Sequence, residues 1–170
     1  MGTEDQGTSG EQIVNFRRVM QARITETVEE GSQIAARLVA QTITKNPALR
    51  LGLAAGKSPI GLYRTLVNLH QSAELDFSKV RIFSLDELLG LPHNCPHSYH
   101  TFFHHHLLNQ VKVDPTHLHL LNRQTDEDLA SYYASYERLI SEYGGIDLQI
   151  LGIGRNGPLG FNEPGSSLNS

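Results

Sequence analysis

Four short stretches of this chain carry side chains that could do chemistry. The first is Gly52-Leu53-Ala54-Ala55-Gly56-Lys57-Ser58. A nucleotide P-loop has four residues between its outer glycines; here there are three, and Pro59 follows directly. A broader chemistry survives that mismatch. A glycine turn opening a helix offers free N–H groups and a positive dipole end to an anion, and Lys57 and Ser58 can add contacts. A plain strand-to-helix turn is the equal alternative. The second stretch is Asp86-Glu87. An Asp at a strand end is most often a turn former or helix cap, and the local sequence favours that role for Asp86. The functional alternative is a general base held over a substrate at a sheet edge.

The third stretch, Gly152-Ile153-Gly154-Arg155-Asn156-Gly157, has the glycine spacing of a dinucleotide fingerprint. That fingerprint also needs a helix opening there and an acid about twenty positions on. Pro158, Gly160 and Pro164 follow instead, so the NAD reading is weak. Glu163, in Phe161-Asn162-Glu163-Pro164, sits between turn residues, where an exposed carboxylate is the default. The fourth stretch is rich in histidine: six of the nine lie between His93 and His106. His100 and His104 have the one-turn spacing of a zinc pair, with Cys95 or His93 as further donors. The segment lacks the Glu beside the first His that a metalloprotease uses, so a solvated histidine-rich helix is the expected reading.

The elements that must position these residues alternate between strand and helix. A helical period runs from Val28 to about Thr44, with Ile34, Leu38, Val39 and Thr42 on one face, and Asn46-Pro47 ends it. Leu49, Leu51 and Leu53 alternate as a strand, and Ile60 to Gln71 is helical behind Pro59. Val80 to Leu85 is a second strand, Ser98 to Asn109 a helix, and His117 to Leu121 a third strand. Thr125-Asp126-Glu127-Asp128 opens a helix reaching Tyr143, in which Tyr132, Tyr133, Tyr136 and Leu139 pack. Gly144-Gly145 stops it before a fourth strand, Ile146 to Leu151. Four strand–helix alternations predict βαβ units and a parallel sheet. Ligands of such sheets bind beyond the carboxyl ends of the strands. The Gly56, Asp86 and Gly152 loops all fall at that edge.

At 170 residues and 18.9 kDa the chain is about one domain long. Residues 1–12 read as a disordered tail and residues 13–170 as a single α/β domain. Fourteen basic against eighteen acidic residues leave a formal charge of −4, which argues against nucleic acid as a partner. No apolar run is long enough for a membrane helix, and the first residues fit neither a signal peptide nor a myristoylation site. One cysteine, Cys95, excludes an internal disulfide and points to a reducing, cytoplasmic location.

Taken together, the motifs resemble the glucosamine-6-phosphate deaminase (isomerase) family. The resemblance rests on Leu51 to Tyr63, on Ser84-Leu85-Asp86-Glu87 with Gly90-Leu91-Pro92, and on Ser98-Tyr99-His100. It is strongest from Gly144-Gly145-Ile146-Asp147-Leu148-Gln149 through Gly160-Phe161-Asn162-Glu163-Pro164-Gly165-Ser166-Ser167. It covers the chain from about Val28 onward, as a C-terminally truncated member. It implies a Rossmann-like doubly wound, mostly parallel sheet with helices on both faces, of the sugar-phosphate isomerase and CoA-transferase kind, incomplete at the C-terminus. The implied reaction turns glucosamine 6-phosphate and water into fructose 6-phosphate and ammonia, with no metal or organic cofactor. The implied partner is a small-molecule sugar phosphate, and a homo-oligomer is compatible with the family.

By that resemblance Asp86 carries a proton between C2 and C1, and the Gly56-Lys57-Ser58 loop holds the phosphate. Asn156 and Glu163 would assist a histidine in opening the sugar ring. That histidine falls at Pro158, which cannot titrate, and losing a general acid/base costs roughly 10²–10⁴-fold in rate. Family members also continue past residue 170, so an exposed apolar face and low solubility are expected. Two alternatives stay open: a 6-phosphogluconolactonase-like hydrolase of the same fold, and a non-catalytic remnant that binds sugar phosphate.

Overall fold

The computed structural model describes residues 12–16, 20–92, 94–121 and 128–167. Its centre is a four-stranded, wholly parallel sheet of β3 (Arg50–Leu53), β4 (Arg81–Ser84), β5 (Leu118–His119) and β6 (Leu148–Gln149). Their spatial order is β5-β4-β3-β6. The chain therefore steps outward from β3 to β5, then returns to lay β6 on the other side of β3. That reversal makes the gap between β3 and β6 the switch point at which doubly wound sheets receive ligands.

Buried strands show in the sequence as apolar runs. Leu49, Leu51, Leu53, Val80 and Ile82 are all at most 1% exposed. One face packs on α1 (Val28–Lys45), α2 (Ile60–Gln71) and the segment 99–111. The cluster includes Ala36, Val39, Ile43, Leu66, Phe103 and Leu107. The other face turns Phe83 and His119 toward Tyr136 and Tyr143 at the C-terminal half and end of α4 (Leu129–Glu142). Helices thus lie on both faces, as the sequence predicts.

Local chemistry explains the boundaries. Thr27 caps α1 by accepting the Glu30 N–H at 3.1 Å, and Glu29, Glu30 and Lys45 suit its dipole. The buried stripe of α1 is Ser32, Ala36, Val39 and Ile43, rather than the expected Ile34, Leu38, Val39 and Thr42; Leu38 is 47% exposed. Close helix contact decides this. A Cβ on Gly61 of α2 would stand 2.6 Å from Ser32 Oγ, so small residues rather than large apolar ones mark the crossing. The expected helix over Ser98–Asn109 is two pieces: α3 (Tyr99–Phe103) and a π-helical turn, His104–Leu108. The wider turn faces the adjacent Leu107 and Leu108 both inward.

Two further expectations are corrected. The third and fourth strands shrink to two residues each, since β5 and β6 are sheet edges paired on one side only. Single backbone bonds, Asp147 N–H to Arg50 O and Ile150 N–H to Gly52 O, extend the β6 pairing. No residue of α4 is buried; of its expected packing residues, Tyr133 is 38% exposed and Tyr136 reaches Phe83 edge-on. The expected helix start at Thr125-Asp126-Glu127 lies outside the described residues, and Asp128 provides the cap, accepting from Ser131 N–H at 3.1 Å. The sequence also gave no sign of an antiparallel pair, β1 (Gln12–Phe16) with β2 (Met20–Ile24). Of the expected tail, residues 1–11 lie outside the described residues and Gln12 opens β1. No helix among the described residues is long and apolar enough to cross a membrane.

Candidate functional site

The parallel pairing of β3 with β4 brings two of the sequence motifs side by side. Leu53 lies opposite Ser84, and Leu85 N–H donates to Leu53 O at 3.0 Å. Both strands end there, so the Gly56 turn and Asp86 emerge together at the carboxyl edge. Gly56 adopts φ +113°, a conformation that resists side chains, and Lys57 and Ser58 are exposed beyond it. No side chain caps α2, which starts behind Pro59. Ser58 also borders a cavity of about 300 Å³ at the switch point, with Val28, Ala54, Ile150 and Gly152.

Asp86 is neither a turn former nor a helix cap, which corrects the local reading. The cap is its neighbour. Glu87 Oε1 accepts from Tyr99 N–H and Oε2 from His100 N–H, both at 2.7 Å, at the start of α3. Ser98 Oγ accepts the next donor, Thr101 N–H, at 3.1 Å. Asp86 is half-buried, and its Oδ1 is buried without a hydrogen-bond partner among the described residues. Burial, then the charge of Glu87, pushes its carboxyl above the ordinary range. It borders an open cleft of about 520 Å³ with Leu85, Glu87, Tyr136, Gln149 and Phe161.

Buried tyrosines brace this edge. Tyr63 is 0% exposed and donates its hydroxyl to Ala54 O at 2.7 Å, holding the chain just before the Gly56 turn. Burial drives that hydroxyl far up, and the nearby Asp86 charge adds to the rise. The Tyr136 hydroxyl stands 2.9 Å from Ser84 O and 2.8 Å from His119 O, so α4 grips the ends of β4 and β5. Burial pushes it up to about 12.

Asn156 and Glu163 lie on the exposed loop after β6. Isolated bridges Ile153–Leu159 and Leu159–Asn162 fold that loop, and the Asn156 turn closes through Gly157 N–H to Gly154 O. Phe161 from this loop borders the Asp86 cleft; Asn156 and Glu163 are not among its lining residues. Pro158 accepts the Gly154 N–H, and its ring occupies the space a Cβ on Gly154 would need, at 2.6 Å from Cγ. Leu151, Ile153, Leu159 and Phe161 on this loop are 46%, 77%, 47% and 70% exposed. Among the described residues no group of three or more His, Cys, Asp or Glu side chains could hold a metal ion. His100 and His104 do adjoin, with ring centroids 4.5 Å apart; His93 lies outside the described residues.

Sequence reasoning missed the roles of Glu87, Tyr63 and Tyr136. None had a local signal, because each bonds to backbone twelve or more residues away or across an element boundary.

A doubly wound parallel sheet with a glycine turn, an underpartnered carboxyl and a glycine-rich loop at its carboxyl edge defines the chain as an α/β protein of the Rossmann-like class. Residues 22–158 match the glucosamine-6-phosphate isomerase/6-phosphogluconolactonase family, and the chain belongs to it. It is 46% identical over 144 residues to a glucosamine-6-phosphate deaminase of Lysinibacillus sphaericus, covering 85% of this chain and 60% of the relative. It is 44% identical over 147 residues to glucosamine-6-phosphate deaminase 2 of Bacillus subtilis, covering 86% and 59%. A solved structure of a monomeric glucosamine-6-phosphate deaminase superposes with a TM-score of 0.82 at 43% identity, covering 86% of this chain and 60% of that one. The 6-phosphogluconolactonase of Thermotoga maritima, at 19% identity and a TM-score of 0.66, shares the fold. The chain thus spans about 60% of the length of the curated relatives it matches.

Proposed function

We propose that the chain acts on glucosamine 6-phosphate, moving a proton from C2 to C1 and releasing ammonia to leave fructose 6-phosphate. The observation that carries this reading is Asp86: a half-buried carboxyl with an unpartnered buried oxygen, at the strand edge beside a glycine turn. A carboxylate held out of water is a stronger base than one in water, which suits removal of a carbon-bound proton. In the open-chain sugar Asp86 takes the C2 proton and returns it to C1. A proton passes from the C2 amine to the aldehyde oxygen, so that C1 becomes a CH₂OH carbon and C2 an imine. Water then adds to the imine, and ammonia leaves with the balance of protons.

The turn from Gly56 to Ser58 would seat the phosphate, with Lys57 an additional charge. Asn156 and Glu163 would attend the ring oxygen from the loop whose Phe161 borders the cleft. Pro158 has no proton to give, so ring opening is the weak step and the proton shuttle is the retained one. The relatives at 44–46% identity named as deaminases support this substrate over a lactone. A cytoplasmic location suits such a phosphorylated substrate and the lone thiol of Cys95.

The test is ammonia release from glucosamine 6-phosphate. The parent chain should show slow release, Asp86→Asn should lower it at least about 10²-fold, and Pro158→His should raise it. Release that survives Asp86→Asn refutes the assignment. Lactone hydrolysis without ammonia would favour the hydrolase reading. Calorimetric binding of fructose 6-phosphate without any release would mark a binder of sugar phosphates.

A further inference from the structure

Glu87 stands next to the proposed base, yet its carboxylate points away to backbone. Oε1 accepts from Leu88 N–H at 2.8 Å and Tyr99 N–H at 2.7 Å; Oε2 accepts from His100 N–H at 2.7 Å. Two of these donors are twelve and thirteen residues downstream. Both carboxylate oxygens are therefore committed, and the loop between them is cinched at its two ends. Ser98 is 3% exposed and takes Thr101 N–H, so the opening N–H groups of α3 all find acceptors at this junction. The junction is half-buried at Glu87, Tyr99 and His100.

We infer that Glu87 is a positioning residue for Asp86: by tying the first turn of α3 to the end of β4, it holds Asp86 at a fixed, water-poor place facing the cleft. The inference rests on the proposed role of Asp86 as the proton carrier. Three features agree with it. Asp86 has a buried oxygen without a partner among the described residues, directly beside the fully committed carboxylate of Glu87. Its charge and that of Glu87 both bear on Tyr99, so the three groups share one small space. The groups that face Asp86 are Glu87 on its own loop, Tyr63 of α2 and Tyr99 of α3, with Glu137 of α4 across the cleft. Among these described residues no cation faces it. A loosened α3 would admit water beside Asp86 and make it a weaker base.

The experiment follows the Asp86 carboxyl carbon by NMR across pH in the 170-residue chain, with hydrogen exchange at Tyr99 and His100. Glu87→Gln keeps the shape but removes the charge and one acceptor. Glu87→Asp keeps the charge but cannot span to α3. Both variants should expose the two amides to exchange and move the Asp86 midpoint down toward the ordinary carboxylate range, Glu87→Gln further. Glu87→Gln also deletes a charge that itself raises Asp86, so the charge-keeping Glu87→Asp decides. An unmoved midpoint in folded Glu87→Asp with faster amide exchange overturns the inference and leaves Glu87 a helix cap only. If Glu87→Gln does not fold, Glu87→Asp decides by the same two readouts.

Turnover gives a second arm. Ammonia release in Glu87→Asp should fall through kcat, by up to about 10²-fold, with KM little changed, as a displaced base would give. A loss confined to KM would contradict a positioning role. The two claims separate cleanly. If the parent chain releases no ammonia, the proposed activity fails while the NMR titration still tests the coupling of Glu87 to Asp86.

Discussion

Replacing Tyr63 by Phe removes one oxygen from the middle of the protein and leaves the ring in place. The ring is fully buried and lies edge-on to Phe102 at 6.3 Å, so Phe keeps almost all of the packing. What is lost is the 2.7 Å bond to Ala54 O. A neutral hydrogen bond contributes about 0.5–1.5 kcal/mol net, and a carbonyl left short of its donor costs about 1–3 kcal/mol. Ala54 is only 7% exposed, so water replaces the hydroxyl poorly. These overlapping terms give an expected loss of about 2 kcal/mol. For a chain of this size that lowers the unfolding midpoint by about 4–8 °C. Urea unfolding followed by circular dichroism should show a lower midpoint with an unchanged slope. Amide exchange at Gly56 to Ser58 should quicken as the turn loses its brace. A loss under about 0.5 kcal/mol with unaltered exchange would show that this hydroxyl does not hold the turn, and the account of how the edge is built would fail.

Three other outcomes follow from the same geometry. Asp86→Asn should stabilise the chain at neutral and alkaline pH. The folded carboxyl is raised, so ionising it opposes folding as pH climbs through that value, and the gain over wild type should vanish below the ordinary carboxylate range in chemical denaturation. Asp147→Asn should do the reverse. Arg50 donates to both Asp147 oxygens and holds its carboxyl below the ordinary range. Wild type thus carries extra stability above that range and loses it as pH falls through the lowered value; the variant should lack this acid-sensitive increment. Gly61→Ala should cost about 1–3 kcal/mol, since its new Cβ meets Ser32 Oγ at 2.6 Å and Ser32 Cβ at 3.0 Å; a smaller loss, read by thermal melting, would mean that α1 and α2 part more easily than their contact suggests.

The class of fold was legible in the residues because period and punctuation are local properties. The α2 span of Ile60–Gln71 came out as expected, and the alternation of Leu49, Leu51 and Leu53 marked the central strand. Glycine at 56, which adopts a left-handed backbone, and the acid pair after β4 were visible for the same reason. Tertiary structure alone decided which of those two acids caps a helix. Asp86 and Glu87 are both short-range candidates, and only the arrival of Tyr99 and His100 from twelve and thirteen residues beyond Glu87 separates them. It also turned α1 toward Ser32 and Ala36, because a helix buries the stripe its neighbour can approach closely, not the one with the most carbon. The bond from Tyr63 to Ala54, the grip of Tyr136 on two strand ends and the strand order that sets the switch point likewise belong to the folded chain. Each joins residues whose separation along the chain carries no signal, and each exists only once the sheet has brought their backbones within a few ångströms.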